Sequence, residues 1–272
     1  LKQPRTLTDI MTAGITARLQ RIGTEGRYVV VPMDHGITLG AVKGLKHIES
    51  TIDAVTRGGA DAVLTQKGIA GRVHGNKNGA GYIAHLNGST AIGPDENDKR
   101  RTGSVEAALR AGADAVSFHI NVGSKYEREQ IRELGELTDE AAEYGLPVLA
   151  MTYARGPDTE GDDPEALGHA VRLGEELGAD LIKTGYSGDP ESFEHVCEST
   201  RCPVLIAGGS PDGDLQSLRD VRGAMDAGGA GVSMGRTIFQ HDDPERMARA
   251  VALVVHEDLG AAEALERAEL DA

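Results

Sequence analysis

Tryptophan is absent from this 272-residue chain, and three phenylalanines and six tyrosines leave aromatic residues at only 3%. The core must therefore be built mainly from Val, Ile, Leu and Ala, which suit parallel strands covered on both faces by helices. Only two cysteines are present, Cys197 and Cys202. Two are too few for a disulfide framework and their C-x4-C spacing is a poor metal pattern, so both read as packing residues. No apolar run approaches the roughly 18–20 residues of a membrane span. The first residues also lack the apolar stretch of a secretion signal. A soluble, cytoplasmic protein is expected.

Positive charge is scarce as well. The chain holds 28 Lys and Arg against 43 Asp and Glu, a formal net charge of −15, and only 8 of its residues are Lys. An acidic, lysine-poor surface stays hydrated in strong salt, so a salt-tolerant protein is expected. Nucleic acid and anionic membranes need basic patches and are excluded as main partners. An anionic substrate would have to be held by local positive features against an unfavourable overall field.

A repeat is present. Gly-Ala-Asp-Ala-Val occurs at 59–63 and 112–116, Gly-Ala-Asp-Leu-Ile at 178–182 and Gly-Ala-Gly-Val-Ser at 229–233. Each reads as a glycine ending a helix with φ > 0, followed within about two residues by a strand. The spacing of two βα units places four further strands between them, at 28–33, 82–86, 147–152 and 203–207, none much longer than six residues. Ile48, Ile52 and Val55 form one helical face, and Ile131, Leu134, Leu137 and Ala141 another. Asp-Pro pairs at 163–164, 189–190 and 243–244 read as helix starts, with Asp capping and Pro in the first turn. Eight alternating strands and helices predict a single-domain α/β protein, a (β/α)8 TIM barrel. Residues 1–25 are expected to add a helix outside or beneath a barrel spanning 26–272. Within the Gly- and Asn-rich segment 65–104, one helix is expected to be short or replaced by loop.

Barrel sites sit at the C-terminal strand ends. Those ends carry Asp34-His35-Gly36, Gln66-Lys67-Gly68, His119, Tyr153-Ala154-Arg155, Lys183, Gly208-Gly209 and Gly235-Arg236. Lys183 follows Leu181 and Ile182 in a buried strand; burial lowers a lysine's pKa, as an imine-forming amine requires. The alternative is a lysine that reaches solvent or pairs with a carboxylate. Asp34 reads as a general base or as the group orienting that lysine, against a plain turn after strand 1. Tyr153 reads as a proton shuttle, against a packed rim tyrosine. Gly208, Gly209, Gly235 and Arg236 follow strands 7 and 8, where glycine backbones and an arginine fork suit phosphate. Lys67 and His119 are possible substrate contacts. His35, His85 and His119 are expected to converge in the mouth, yet no close His/carboxylate motif marks a metal site. Neither a metal nor an organic cofactor is expected.

These segments resemble the archaeal-type class I aldolase family over about residues 18–264. The resemblance rests on Val-Pro-Met-Asp-His-Gly at 31–36, His-Ile-Asn-Val-Gly-Ser at 119–124, Lys-Thr-Gly-Tyr-Ser-Gly-Asp at 183–189 and the run from Gly235 to Asp243. It implies Lys183 as the Schiff-base residue, Tyr153 as proton donor and Asp34 as proton acceptor. Substrate contacts would fall on Asp34, His35, Gly36, Ile37 and Thr38, on Tyr153, Ala154 and Arg155, on Gly208 and Gly209, and on Gly235 and Arg236. Relatives usually carry Pro where this chain has Ala154. The implied reaction transfers a hydroxyacetone unit from a phosphorylated ketose to L-aspartate 4-semialdehyde, on a route into aromatic amino acids. Competing readings are a fructose-bisphosphate aldolase of the same family, a metal- or acid/base-dependent phosphosugar isomerase, and a non-catalytic phosphosugar-binding protein. The resemblance also implies a homo-oligomer.

Overall fold

The computed structural model describes residues 13–157, 159–208 and 213–270. Among them, eight parallel strands close a barrel: β1 (Tyr28–Pro32), β2 (Ala62–Gln66), β3 (Gly81–His85), β6 (Ala115–Val122), β7 (Val148–Ala154), β8 (Leu181–Thr184), β9 (Val204–Ala207) and β10 (Gly231–Ser233). They are joined in that order, with β10 returning to β1. Two-residue strands β4 (Asn87–Gly88) and β5 (Arg100–Arg101) form a small antiparallel pair between β3 and β6. The expected TIM barrel is the observed fold.

The repeat has a physical basis at the bottom of the barrel. Gly59, Gly112 and Gly178 take φ of +104°, +77° and +87°, letting each helix turn back toward its strand. In the fourth copy the positive φ falls on Gly228, one residue earlier than expected. The Asp that follows each of the first three glycines reaches across to the preceding strand. Asp61 accepts from the backbone N–H of Val29 at 2.7 Å, Asp114 from Tyr82 at 3.0 Å, and Asp180 from Val148 at 2.9 Å. Ala230 stands in the fourth position and has no carboxylate to reach across, although its backbone N–H still donates to the Val204 carbonyl. The repeating unit is thus a strand pair fastened at its N-terminal end.

Helices pack as their apolar spacing requires. Ile48, Ile52 and Val55 are buried on the Ile48–Arg57 helix, and Leu134, Leu137 and Ala141 on Glu127–Glu143. Asp163, Asp189 and Asp243 each accept from the backbone N–H three residues on, with Pro following the cap. Such caps contribute about 1 kcal/mol each. Between β2 and β3 the helix shrinks to Ala70–His74, as the composition of 65–104 suggests.

Strand alternation separates two cores. Outward residues such as Val29, Val63, Val116 and Ile182 meet the helices together with all three phenylalanines, which are fully buried. Inward residues Val30, Leu64, Ile83, Leu149, Leu181 and Leu205 fill the barrel. The Ala13–Ile22 helix closes the N-terminal end, inserting Ile22 into this inner cluster. Strands β6 and β7 run eight and seven residues, longer than expected. Their pairing continues from Val116↔Val148 to Val122↔Ala154, which holds His119 and Tyr153 on ladder backbone rather than on loops. Cys197 and Cys202 are free and pack against the outer core; burial pushes the Cys197 thiol up to about 12.

Candidate active site

The inward parity that places Leu149 and Leu181 in the core carries on up the barrel. Two residues beyond them, Met151 and Lys183 lie side by side in register, and Tyr153 is one inward step above Met151. Lys183 is 7% exposed and makes no hydrogen bond or ion pair among the described residues. The Tyr153 hydroxyl also has no hydrogen-bond partner among them, while its ring lies 5.0 Å from His119 and 4.6 Å beneath the Arg155 guanidinium.

Asp34, His35, Thr38, His119, Tyr153, Arg155, Lys183, Gly208, Gly235 and Arg236 line one cavity of about 310 Å³. That is the low end of the range for small-molecule sites, roughly 300–1,000 Å³. Gly36, Ile37 and Lys67 instead line a second hollow on the other side of Asp34. Lys67 donates to the Thr102 carbonyl and secures the segment after β5. Ala154 has the outward parity of β7 and is buried, so the alanine at this position does not face the cavity. Gly209 lies outside the described residues.

Asp34 sits on a buried polar column. Its Oδ2 is 3.6 Å from Nε2 of His85, whose Nδ1 is 2.7 Å from the Ser117 hydroxyl. His35 Nδ1 lies 3.6 Å from Oδ1. Burial works to raise the Asp34 carboxyl, but His85, His35 and Lys183 outweigh it and hold it below its usual value. Asp34 is therefore a carboxylate at neutral pH. Burial pushes His85 down to about 4, and carries His119 well below its ordinary value with help from Lys99 and Arg155. Both imidazoles are neutral at pH 7. His119 Nε2 is 2.7 Å from Asn121 Oδ1, an acceptor, so that nitrogen carries the proton.

Gly235 is required by close approach: a Cβ there would stand 2.6 Å from His35 Cε1 and 2.7 Å from the Pro32 carbonyl oxygen. The Arg236–Phe239 helix begins at once, and Arg236 is exposed with no hydrogen bond or ion pair among the described residues. Ser233, on the inward face of β10, lines the cavity with a buried hydroxyl that has no partner among the described residues.

Sequence reasoning missed Ser233, Lys99 and Glu96 as cavity residues. Ser233 could have been found by inward parity on β10. Lys99 and Glu96 lie in the irregular 89–99 stretch, where no periodicity assigns a direction. Four cations, Lys99, Arg155, Lys183 and Arg236, face two carboxylates, Asp34 and Glu96, in a chain of net charge −15. The field is reversed locally in favour of an anionic ligand. An amine at the floor, a carboxylate and a phenol beside it, and cations around the rim can form an imine and move protons.

The pattern of the DeoC/LacD family aldolase matches residues 28–241, from the start of β1 through the Arg236–Phe239 helix. The chain belongs to the DeoC/LacD family of aldolases. This aldolase is 61% identical over 258 residues to the 2-amino-3,7-dideoxy-D-threo-hept-6-ulosonate synthase of Halobacterium salinarum (strain ATCC 700922 / JCM 11081 / NRC-1), covering 95% of this chain and 97% of that one. It is 42% identical to 2-amino-3,7-dideoxy-D-threo-hept-6-ulosonate synthase 1 of Archaeoglobus fulgidus, over 93% and 95% of the two chains. It superposes with a TM-score of 0.80 on an archaeal fructose-1,6-bisphosphate aldolase whose catalytic lysine is covalently bound to the carbinolamine intermediate of its substrate. That pair is 31% identical, covering 89% of this chain and 99% of that one. The family member described here is an enzyme of the class I, lysine Schiff-base type.

Proposed function

We propose that this aldolase transfers a hydroxyacetone unit from 6-deoxy-5-ketofructose 1-phosphate to L-aspartate 4-semialdehyde, giving 2-amino-3,7-dideoxy-D-threo-hept-6-ulosonate. The observation that carries the chemistry is Lys183, buried without a partner among the described residues at the cavity floor, with Asp34 and Tyr153 in the same cavity. The identity to the two synthases, 61% and 42%, favours this substrate pair over fructose bisphosphate, where identity falls to 31%.

In this reading the Lys183 amine attacks the methyl-ketone carbonyl of the donor. Tyr153 donates a proton to the departing oxygen, water leaves, and the iminium becomes an electron sink. Asp34, already ionised, accepts the proton of the hydroxyl on the carbon to be released. The carbon–carbon bond breaks, hydroxypyruvaldehyde phosphate departs, and an enamine remains on Lys183. The enamine carbon then attacks the acceptor aldehyde, Asp34 returns its proton to the new alkoxide, and hydrolysis frees the product. His35, Thr38 and Arg155 would contact substrate in the cavity. Gly36, Ile37 and Ala154 would support the loops behind it. Gly208, Gly209, Gly235 and Arg236 would hold phosphate. His119 would orient Tyr153 through its ring, and Lys67 would brace the neighbouring segment.

Product analysis tests the substrate assignment. The synthase reading expects heptulosonate from the donor and aspartate semialdehyde together, with negligible triose phosphate from fructose 1,6-bisphosphate. Efficient cleavage of the bisphosphate with no transfer would assign the glycolytic activity instead. The acidic, lysine-poor composition further supports salt tolerance, and the likeness to the aldolase family supports a cytoplasmic homo-oligomer. Activity retained in molar KCl and sedimentation above monomer mass are the expected results.

A further inference from the structure

β10 carries a polar side chain where its neighbours carry none. In register, Ser233 lies between Val30 of β1 and Ala207 of β9. It is fully buried, and its hydroxyl has no hydrogen-bond partner among the described residues. Alanine would fill this wall without stranding a polar group, and an unsatisfied buried hydroxyl costs stability. A hydroxyl kept in that state at the wall of a cavity calls for a partner that arrives with the ligand.

The ladder sets its height relative to Lys183. Lys183 pairs with Leu205, and Leu205 with Gly231. Neighbouring strands of such a barrel are staggered by about one residue each, and side chains from alternate strands form level layers. Two strands on from Lys183, the residue at its level is therefore the one two beyond Gly231, which is Ser233. In agreement, Ser233 lines the cavity and Gly231 does not. On the other side the register runs from Lys183 through Met151 to His119, and the same stagger brings Ser117 to that level. Lys183 is thus flanked in its own layer by two serines. Ser117 is engaged by His85 Nδ1 at 2.7 Å; Ser233 is not engaged.

The proposed reaction leaves one group for Ser233 to meet. Once the ketone oxygen has departed as water and the phosphorylated aldehyde has left, the unit on Lys183 keeps a single polar group, the hydroxyl on the enamine carbon. That carbon is bonded to the imine carbon, so its hydroxyl stays close to the Lys183 nitrogen. Asp34 and Tyr153 serve other oxygens, the hydroxyl of the carbon to be released and the ketone oxygen. β10 also leads directly up to Gly235 and Arg236. A donor running from Lys183 to those phosphate positions therefore passes along Ser233.

We propose that the Ser233 hydroxyl binds the hydroxyl on the enamine carbon, and so selects a hydroxylated three-carbon unit over a plain methyl ketone. This rests on the lysine-imine reaction proposed above and is independent of which acceptor follows.

The test compares the full chain with its Ser233→Ala variant. Borohydride trapping on Lys183 is titrated with hydroxyacetone and with acetone, which forms the same imine without the hydroxyl. In Ser233→Ala the preference for hydroxyacetone over acetone is expected to fall roughly 10-fold, the size of a hydrogen bond that loses its buried partner. Acetone is expected to trap as before, and the Tm of the free variant to hold or rise. An unchanged preference, or equal losses on both ketones, would overturn the assignment. So would a lowered Tm, which would show that the hydroxyl is bonded within the protein. Trapping of neither ketone by the unaltered enzyme would overturn the imine chemistry itself, and that result is read before any variant is compared.

Discussion

Lys183→Met separates a functional lysine from a structural one. Lys183 is 7% exposed, is flanked in register by Met151 and Leu205, and makes no hydrogen bond or ion pair among the described residues. An unsatisfied buried polar group costs about 1–3 kcal/mol, and an apolar side chain of similar length removes that cost. Part of the gain is offset because Asp34 loses Lys183 as a favourable neighbour. The net expectation is a stabilisation of about 1–2 kcal/mol. In a chain of this size that raises Tm by about 2–4 °C. Differential scanning calorimetry at pH 7 and fixed salt reads the shift, alongside an activity assay in which Lys183→Met is silent. A Tm lowered by several degrees would mean that Lys183 is held by an ion pair, and would refute its standing as a buried, unpartnered amine.

Other outcomes follow from the same contacts. Because the His85 pKa lies at about 4 in the folded chain, the unfolded state binds its proton more readily between about pH 6.5 and 4. Stability is therefore lost as pH falls through that window, by about 3 kcal/mol from this group. His85→Gln should flatten the acid limb of a Tm–pH profile; an unchanged limb would contradict the burial argument. Asp34→Asn should lower kcat about 10²- to 10⁴-fold while imine trapping persists, as for removal of a general base. Loss of both together would assign Asp34 to lysine positioning. Asp180→Ala should cost about 1–2 kcal/mol by stranding the Val148 N–H. Asp180→Asn, whose carbonyl can accept the same bond without a buried charge, should cost less by urea unfolding.

The barrel is legible in the sequence because its repeating elements are local. Gly-Ala-Asp marks a helix end, a turn and a strand-pair fastener in three consecutive residues, and all eight strands follow from it and from the apolar runs between. Lys183, Tyr153 and Asp34 are legible for the same reason: they continue an inward parity set by buried neighbours. The β4–β5 pair is not legible, since two-residue strands held by distant side chains such as Gln66 leave no pattern. Lys99 hides there, in a run of charges that reads as a solvated surface. His85 could be noticed in sequence, but its neutral state comes from burial inside the closed barrel, where it meets Ser117, 32 residues away. The extra length of β6 and β7 arises from their mutual ladder, a long-range property no single segment encodes.

The central claim, an imine on Lys183 formed by a donor with a methyl ketone, is tested most directly by peptide mass spectrometry. The enzyme is reduced with sodium borohydride in the presence of 6-deoxy-5-ketofructose 1-phosphate and, in parallel, fructose 1,6-bisphosphate. A three-carbon adduct on the peptide containing Lys183 from the first sugar, and little from the second, is the predicted result. An adduct from the bisphosphate alone would contradict the substrate assignment, and the absence of an adduct from either would contradict the Schiff base.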